Sequence, residues 1–389
     1  MLNHVRRLLI VVSVTVFADT MLFSAIVPLI PGLAATYDLS KLEAGMLLAA
    51  YGAGAVISGI PSGILAVRLG PKRTVITGLI LFAAATLAFA LGSSAWSLEA
   101  ARFAQGAASA ITWCGALAWL TLATPRAQRG KALGIVFSFA VLGFVIGPAV
   151  GAAAHLSSIR TTFTVLAVAI VGVTVFASSF PAGRQEARQP RALRRMLHDT
   201  TLLVAVWLTV VPSLFFGVAD LLVPLALDEA AWGAIAIAAT FIVAALAEVA
   251  LAPAIGAFSD RRGRLLPIRL GLLLVTAAAL ILALATSPYL IAVLVTGASV
   301  AVSVIYTPST ALISDRAERS QVPQGLAFGV MNSMWASGVM VGPLLGGAIA
   351  QALGDPAPYI LSAAIALGTF LFISRDGFRA RVMLETLPD

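Results

Sequence analysis

The chain reads as an all-α membrane protein, with twelve transmembrane helices in two pseudo-symmetric six-helix bundles. Three observations predict this. Apolar residues fill 60% of the 389 positions and charged residues only 11%, more oil than a soluble core of that length can enclose. The apolar residues fall into twelve runs, each long enough for the helix of about 20 residues that crosses a bilayer. Two short patterns recur once in each half at nearly one offset. The alternation of about ten residues that marks barrel strands is absent from the sequence.

The spans are expected, in order, at 8–31, 42–66, 74–93, 97–121, 131–154 and 160–180, then at 201–227, 231–258, 266–286, 288–312, 325–351 and 357–374. The first follows Arg6 and Arg7 as a signal peptide would. It is too long for one and carries Asp19 before Pro28 and Pro31, so it reads as a retained helix. Between spans six and seven lies the longest polar stretch, 181–199, with Pro181, Gly183, Pro190 and five arginines. The spacing of Leu193, Met196 and Leu197 predicts a short amphipathic helix there, on the membrane face. The expected organisation is a bundle over 1–180, a basic cytoplasmic linker over 181–199, and a second bundle over 200–389.

Charge sets orientation. Of the 25 Lys and Arg residues, 22 fall in the termini and alternate gaps on one side, only Lys41 and Arg160 fall on the other, and Arg102 is inside span four. Basic loops stay cytoplasmic, so both termini are expected in the cytoplasm. The formal charge of +8 therefore reflects topology. These short loops lack the basic groove with aromatics that nucleic acid needs. Cys114 is alone and His4, His155 and His198 are scattered, so neither a disulfide nor a metal site is expected. No nucleophile triad, HExxH or phosphate-binding glycine loop is found, so no enzyme and no cofactor are expected.

The repeats carry the architecture. Gly143-Phe-Val-Ile-Gly147-Pro148-Ala-Val-Gly151 in span five and Gly338-Val-Met-Val-Gly342-Pro343-Leu-Leu-Gly346 in span eleven share G-x-x-x-G-P-x-x-G, 195 positions apart. Glycines four apart lie on one helix face and let another helix approach closely. The proline removes a backbone donor and bends the helix. Gly63-Ile-Leu-Ala-Val67-Arg68-Leu-Gly70-Pro-Lys72-Arg73 follows span two. Gly256-Ala-Phe-Ser-Asp260-Arg261-Arg-Gly263-Arg264 follows span eight, 193 positions later. Here Gly permits a tight turn at the membrane edge and the basic residues hold the cytoplasmic face.

These residues resemble the major facilitator superfamily over essentially the whole chain. The two loop segments are similar to its signature between spans two and three and the echo between eight and nine. Arg102-Phe-Ala-Gln105-Gly106 is similar to the R-x-x-Q-G signature of span four. The Gly143–Gly151 segment is similar to the signature linked to antiporters. Asp19 with Pro28 and Pro31 resembles the twelve-helix drug:proton antiporter branch. One departure stands out: Val67 occupies the place where the family's loop signature has Asp, whereas Asp260 keeps it in the second half. In the family that acid helps hold the outward-open state.

A mid-membrane carboxylate costs about 2.5–3.5 kcal/mol on insertion scales, so each one needs a reason. Asp19 lies near mid-depth of span one, Glu248 is similarly deep in span eight, and Asp220 lies nearer the outer end of span seven. With Arg102, these are the proton-coupling candidates. For each, the alternative role is a structural bond between helices; for Arg102, that alternative is a local ion pair with Glu99, three residues earlier. Candidate cavity residues are Phe23, Tyr51, Gln105, Trp113, Phe137, Phe215, Phe216, Asn332 and Trp335, because aromatic faces attract organic cations, although aromatics in spans also pack on lipid and neighbouring helices. The expected function is proton-coupled efflux of amphipathic small molecules or drugs by alternating access, by a monomer in a bacterial cytoplasmic membrane. Sodium is the alternative coupling ion. A carrier of a sugar, amino acid or other metabolite is the same-fold alternative, and a non-transporting membrane sensor is the alternative of another class.

Overall fold

The computed structural model describes residues 2–125, 128–181, 196, 198–320, 322 and 324–375. Its helices are α1 (Leu2–Ser24), α2 (Ile30–Tyr37), α3 (Lys41–Leu69), α4 (Pro71–Leu91), α5 (Ala95–Ala123), α6 (Arg129–Leu156), α7 (Ile159–Ser178), α8 (Thr200–Glu229), α9 (Ala234–Arg262), α10 (Leu265–Leu282), α11 (Pro288–Arg319), α12 (Gln324–Leu353) and α13 (Pro356–Ile373). Among the described residues, twelve helical segments are long and apolar enough to cross a membrane. The first joins α1 to α2 through a 3₁₀ turn, Val27–Leu29. It runs on to Tyr37, beyond the expected end at 31. Pro28 and Pro31 each stand in the first turn of a new helical segment, where a missing N–H breaks no helical bond, so they redirect the chain without ending the span.

Large apolar side chains are exposed along these helices, Ile60 at 75% and Ile57, Val165, Val168 and Leu371 among them. Such an outward surface suits a lipid solvent. The chain divides into two compact units, Met1–Gln189 with Ala231–Ile242, and Pro190–Ala230 with Val243–Asp389. In the first unit α5 packs along both α3 and α4, α1 along α6, and α4 along α7. In the second unit α8 packs along α12 and α11, and α10 along α11 and α13.

The duplicated glycines act alike in each unit. A Cβ on Gly143 would lie 2.0 Å from Thr20 Oγ1, and one on Gly147 would lie 1.9 Å from Ser24 Oγ. In the second unit a Cβ on Gly338 would lie 2.0 Å from Ser213 Oγ, and one on Gly342 would lie 2.4 Å from the Leu214 carbonyl. The glycine stripe thus lets α6 close on α1 and α12 close on α8. Pro343 completes the second seam, its Cδ 2.5 Å from where a Cβ on Gly217 would sit. Across the first seam, Thr20 donates to the Ala140 carbonyl at 2.8 Å. Pro148 stays inside continuous α6, as Pro343 does inside α12.

The loop repeat is also visible in the backbone. Gly70 and Gly263 have φ of 82° and 81°, a region open to glycine and strained for other residues. They make the turns, whereas Gly63 and Gly256 lie inside α3 and α9 with open space around them. Two non-glycine residues with positive φ, Asp38 and Ala231, are also 193 positions apart.

Basic residues near these turns hold helix ends. Lys72 donates to the carbonyls of Phe180 and, at 2.7 Å, of Ser178. Arg269 donates to the Ile373 carbonyl at 2.8 Å. A cation at a helix C-terminus satisfies orphan carbonyls and opposes the helix dipole. Arg264 pairs with Asp260 and, at 3.3 Å, with Asp315. Of the expected linker, most lies outside the described residues, including Leu193 and Leu197. Met196 is fully buried against Leu202, Val206 and Leu312. Asp199 caps α8 by accepting from the Leu202 N–H at 3.1 Å, and also from Arg316 at 2.7 Å and Ser320 at 2.5 Å. Burial works against its charge, but the bonds from Ser320, Arg316 and Leu202 outweigh it and hold the carboxyl below the usual aspartate value.

Candidate functional site

The first unit places Asp19 in its interior, 4% exposed. Three donors from two other helices meet the carboxylate. Tyr51 of α3 donates to Oδ1 at 3.1 Å. Ser109 and Trp113 of α5 donate to Oδ2 at 3.0 Å and 2.6 Å. Ser109 and Trp113 are four residues apart, one above the other on a helix face, so both reach the same oxygen. Hydrogen bonds to a charged group contribute about 1.5–3 kcal/mol each, which offsets part of the burial cost.

Arg102, about two turns before Ser109 on α5, is 1% exposed. Its guanidinium lies 4.7 Å from the centroid of the Tyr51 ring. Its Nη1 donates to Gln105 Oε1 at 3.1 Å, and Gln105 Nε2 donates to Thr86 of α4 at 3.3 Å. Among the described residues Arg102 makes no ion pair with Glu99, although their i,i+3 spacing allows one. The guanidinium turns inward while Glu99 stays partly exposed. Arg102 Nε and Nη2 are buried with no hydrogen-bond partner.

An aromatic wall joins this cluster. Phe23 packs on Tyr51 with centroids 5.0 Å apart and meets Phe144 edge-on at 5.7 Å. Trp113 lies 6.0 Å from Phe137. The structure therefore brings together Asp19, Phe23, Tyr51, Arg102, Gln105, Trp113 and Phe137. The close approach of α3 and α5 depends on Gly106, where a Cβ would sit 1.8 Å from the Tyr51 carbonyl oxygen.

The second unit is less connected. Phe215 is buried at 2% exposure, while Phe216, Asp220, Asn332 and Trp335 are half-buried. Asp220 of α8 and Glu248 of α9 have no hydrogen-bond or ion-pair partner among the described residues. Glu248 lies within electrostatic reach of Tyr306 of α11. Among the described residues no group of three His, Cys, Asp or Glu could hold a metal.

Two groups of residues in these polar clusters are not named by the sequence analysis. Ser109 continues the stripe of Arg102, Gln105 and Trp113 at helical spacing, a signal that was available. Thr86, and the Asp199–Arg316–Ser320 cluster, join positions on separate helices and leave no local pattern.

A family model described as Major Facilitator Superfamily matches residues 12–324 and 213–381. The multidrug resistance protein 2 of Bacillus subtilis is 27% identical over 150 residues, 39% of this chain and 38% of that protein. The human synaptic vesicular amine transporter is 22% identical over 326 residues, 81% of this chain and 63% of that protein. The chain thus matches less than two thirds of the length of these relatives. A bacterial homologue of the human lysosomal transporter Spinster, solved in an inward-facing and unoccupied conformation, superposes with a TM-score of 0.78 at 14% identity, covering 99% of both chains. The chain belongs to the Major Facilitator Superfamily and is a multi-pass membrane protein of helical fold.

Proposed function

We propose that this transporter is a proton-coupled antiporter that exports amphipathic small molecules by alternating access between two six-helix halves. It works as a monomer in a bacterial cytoplasmic membrane with both termini inside. The observation that carries this reading is the buried Asp19 carboxylate with three donors. The names of the multidrug and amine-transporting relatives support the substrate class.

The donors suggest how a proton is felt by the substrate. An indole N–H can only donate, whereas a hydroxyl can turn and accept. When Asp19 takes a proton on Oδ2, Ser109 can reverse its bond but Trp113 cannot. Trp113 then donates to a neutral oxygen, a weaker bond, so its ring, beside Phe137, is held less firmly. A cationic substrate drawn to the carboxylate and these rings loses the attraction of the charge, meets a looser wall, and is released. Deprotonation on the cytoplasmic side restores the site. No covalent step is needed.

The test is reconstituted liposomes with an imposed pH gradient and a panel of amphipathic cations. Wild type should accumulate substrate against its gradient, and Asp19→Asn should not. Vesicles carrying the Asp19→Asn variant that still use the pH gradient would remove Asp19 from the cycle, and replacement of the pH gradient by a sodium gradient would identify the other ion.

A further inference from the structure

We propose that Arg102 binds a carboxylate on the transported molecule through its Nε and Nη2 N–H groups. The inference rests on the proposed transport reading and deepens it, because it assigns a second charge to the substrate. With an amine drawn to Asp19 and an acid held by Arg102, the substrate class is aromatic zwitterions.

Two contacts orient the guanidinium. Gln105 holds Nη1, and Thr86 holds Gln105 in turn. The Tyr51 ring covers one face. The Nε–Nη2 edge remains, buried and without a partner among the described residues. That edge presents two parallel N–H groups, the geometry that binds a carboxylate bidentately. A buried donor left unbonded is costly, and Arg102 leaves two, at 1% exposure. Asp19 does not occupy the edge, since its oxygens accept from Tyr51, Ser109 and Trp113. Asp19 and Arg102 instead flank Tyr51, which donates to one and lies under the other. Opposite charges in contact with one aromatic ring, one at its hydroxyl and one over its face, match a molecule whose amine and acid lie close together beside an aromatic body.

Equilibrium binding tests this with no pH gradient. The probes are L-phenylalanine and L-phenylalanine methyl ester, which share the amine and the ring and differ only in the acid. Their effect on thermal unfolding of the purified full chain is titrated, with sodium chloride and sodium phosphate as separate arms. The expected result is a saturable shift in which the acid binds about tenfold or more tighter than the ester. Arg102→Gln should erase that preference while ester binding persists. Gln105→Leu, which removes the bond that orients the guanidinium, should reduce it. Equal binding of acid and ester, no shift with either, or an acid preference that survives Arg102→Gln overturns the proposal. A shift reproduced by chloride or phosphate alone makes the edge an inorganic-anion site and overturns the substrate claim. Should Arg102→Gln fail to fold, the acid–ester comparison in wild type decides alone. Gradient-driven flux that persists in Asp19→Asn bears on proton coupling, and a null in this titration bears on the acid group, so the two failures stay distinct.

Discussion

Trp113 shows how much chemistry one side chain can carry. It makes the shortest bond to Asp19, 2.6 Å, and touches the aromatic wall through Phe137. Trp113→Phe keeps a ring of similar shape but removes the donor. Under the proposed mechanism, binding of apolar substrate should change little, because the ring remains. Coupling should suffer, because the bond through which the wall feels the charge of Asp19 is gone. Accumulation driven by a pH gradient is therefore expected to fall by about tenfold, the weight of one charged hydrogen bond, while downhill flux survives. Liposome assays with and without the gradient measure both. Equal losses in the two assays would mean that Trp113 merely holds the fold.

At the scale of helices, the glycine stripe and the Asp199 cap make separate predictions. Gly147→Ala and Gly342→Ala each add a methyl where a Cβ meets atoms at 1.9 Å and 2.4 Å. Overpacking of this kind costs about 1–3 kcal/mol, and the seams α1–α6 and α8–α12 should both loosen. Gly63→Ala and Gly256→Ala add the same methyl into open space and should be neutral or slightly stabilising, since Ala is the better helix former. Thermal unfolding of the four variants in one detergent compares them directly. At α8, the Asp199 carboxyl is held below its ordinary value of 3.8. A depressed acid contributes stability above the unfolded value, and that contribution is lost as pH falls through the folded one. Asp199→Asn should therefore unfold earlier than wild type at pH 7, with the gap closing below about pH 4. A gap that stays constant with pH would show that the charge of Asp199 has no part in the cap.

At the scale of the whole chain, the number and order of spans were legible because lipid imposes one rule on every segment: about 20 apolar residues with internally bonded backbone. The duplication was legible because Gly and Pro at fixed spacing are the residues that close helix seams and turns demand, as Gly143 with Gly147 and Gly70 with Gly263 show. The candidate cluster was legible where charge in an apolar run is expensive, at Asp19 and Arg102, and in Phe23, Tyr51, Gln105, Trp113 and Phe137 as polar or aromatic side chains within the spans. Thr86 was not, because a hydroxyl in a span can bond the preceding turn, as Thr86 does with the Phe82 carbonyl at 2.7 Å, and carries no such cost; Ser109 shows only through its spacing from Gln105 and Trp113. The same charge rule gives the last prediction. With 22 of 25 basic residues in one set of gaps, the turns at Gly70 and Gly263 should face the cytoplasm, and the turns at Ser93 and Ser157 the outside. The chain has one cysteine, Cys114, so a Cys114→Ser background accepts single reporters. Ser93→Cys and Ser157→Cys should react with a membrane-impermeant maleimide on intact cells. Arg73→Cys and Arg262→Cys, beside the opposite turns, should react only after the membrane is opened. The reverse pattern would invert the orientation, and with it the side from which protons reach Asp19.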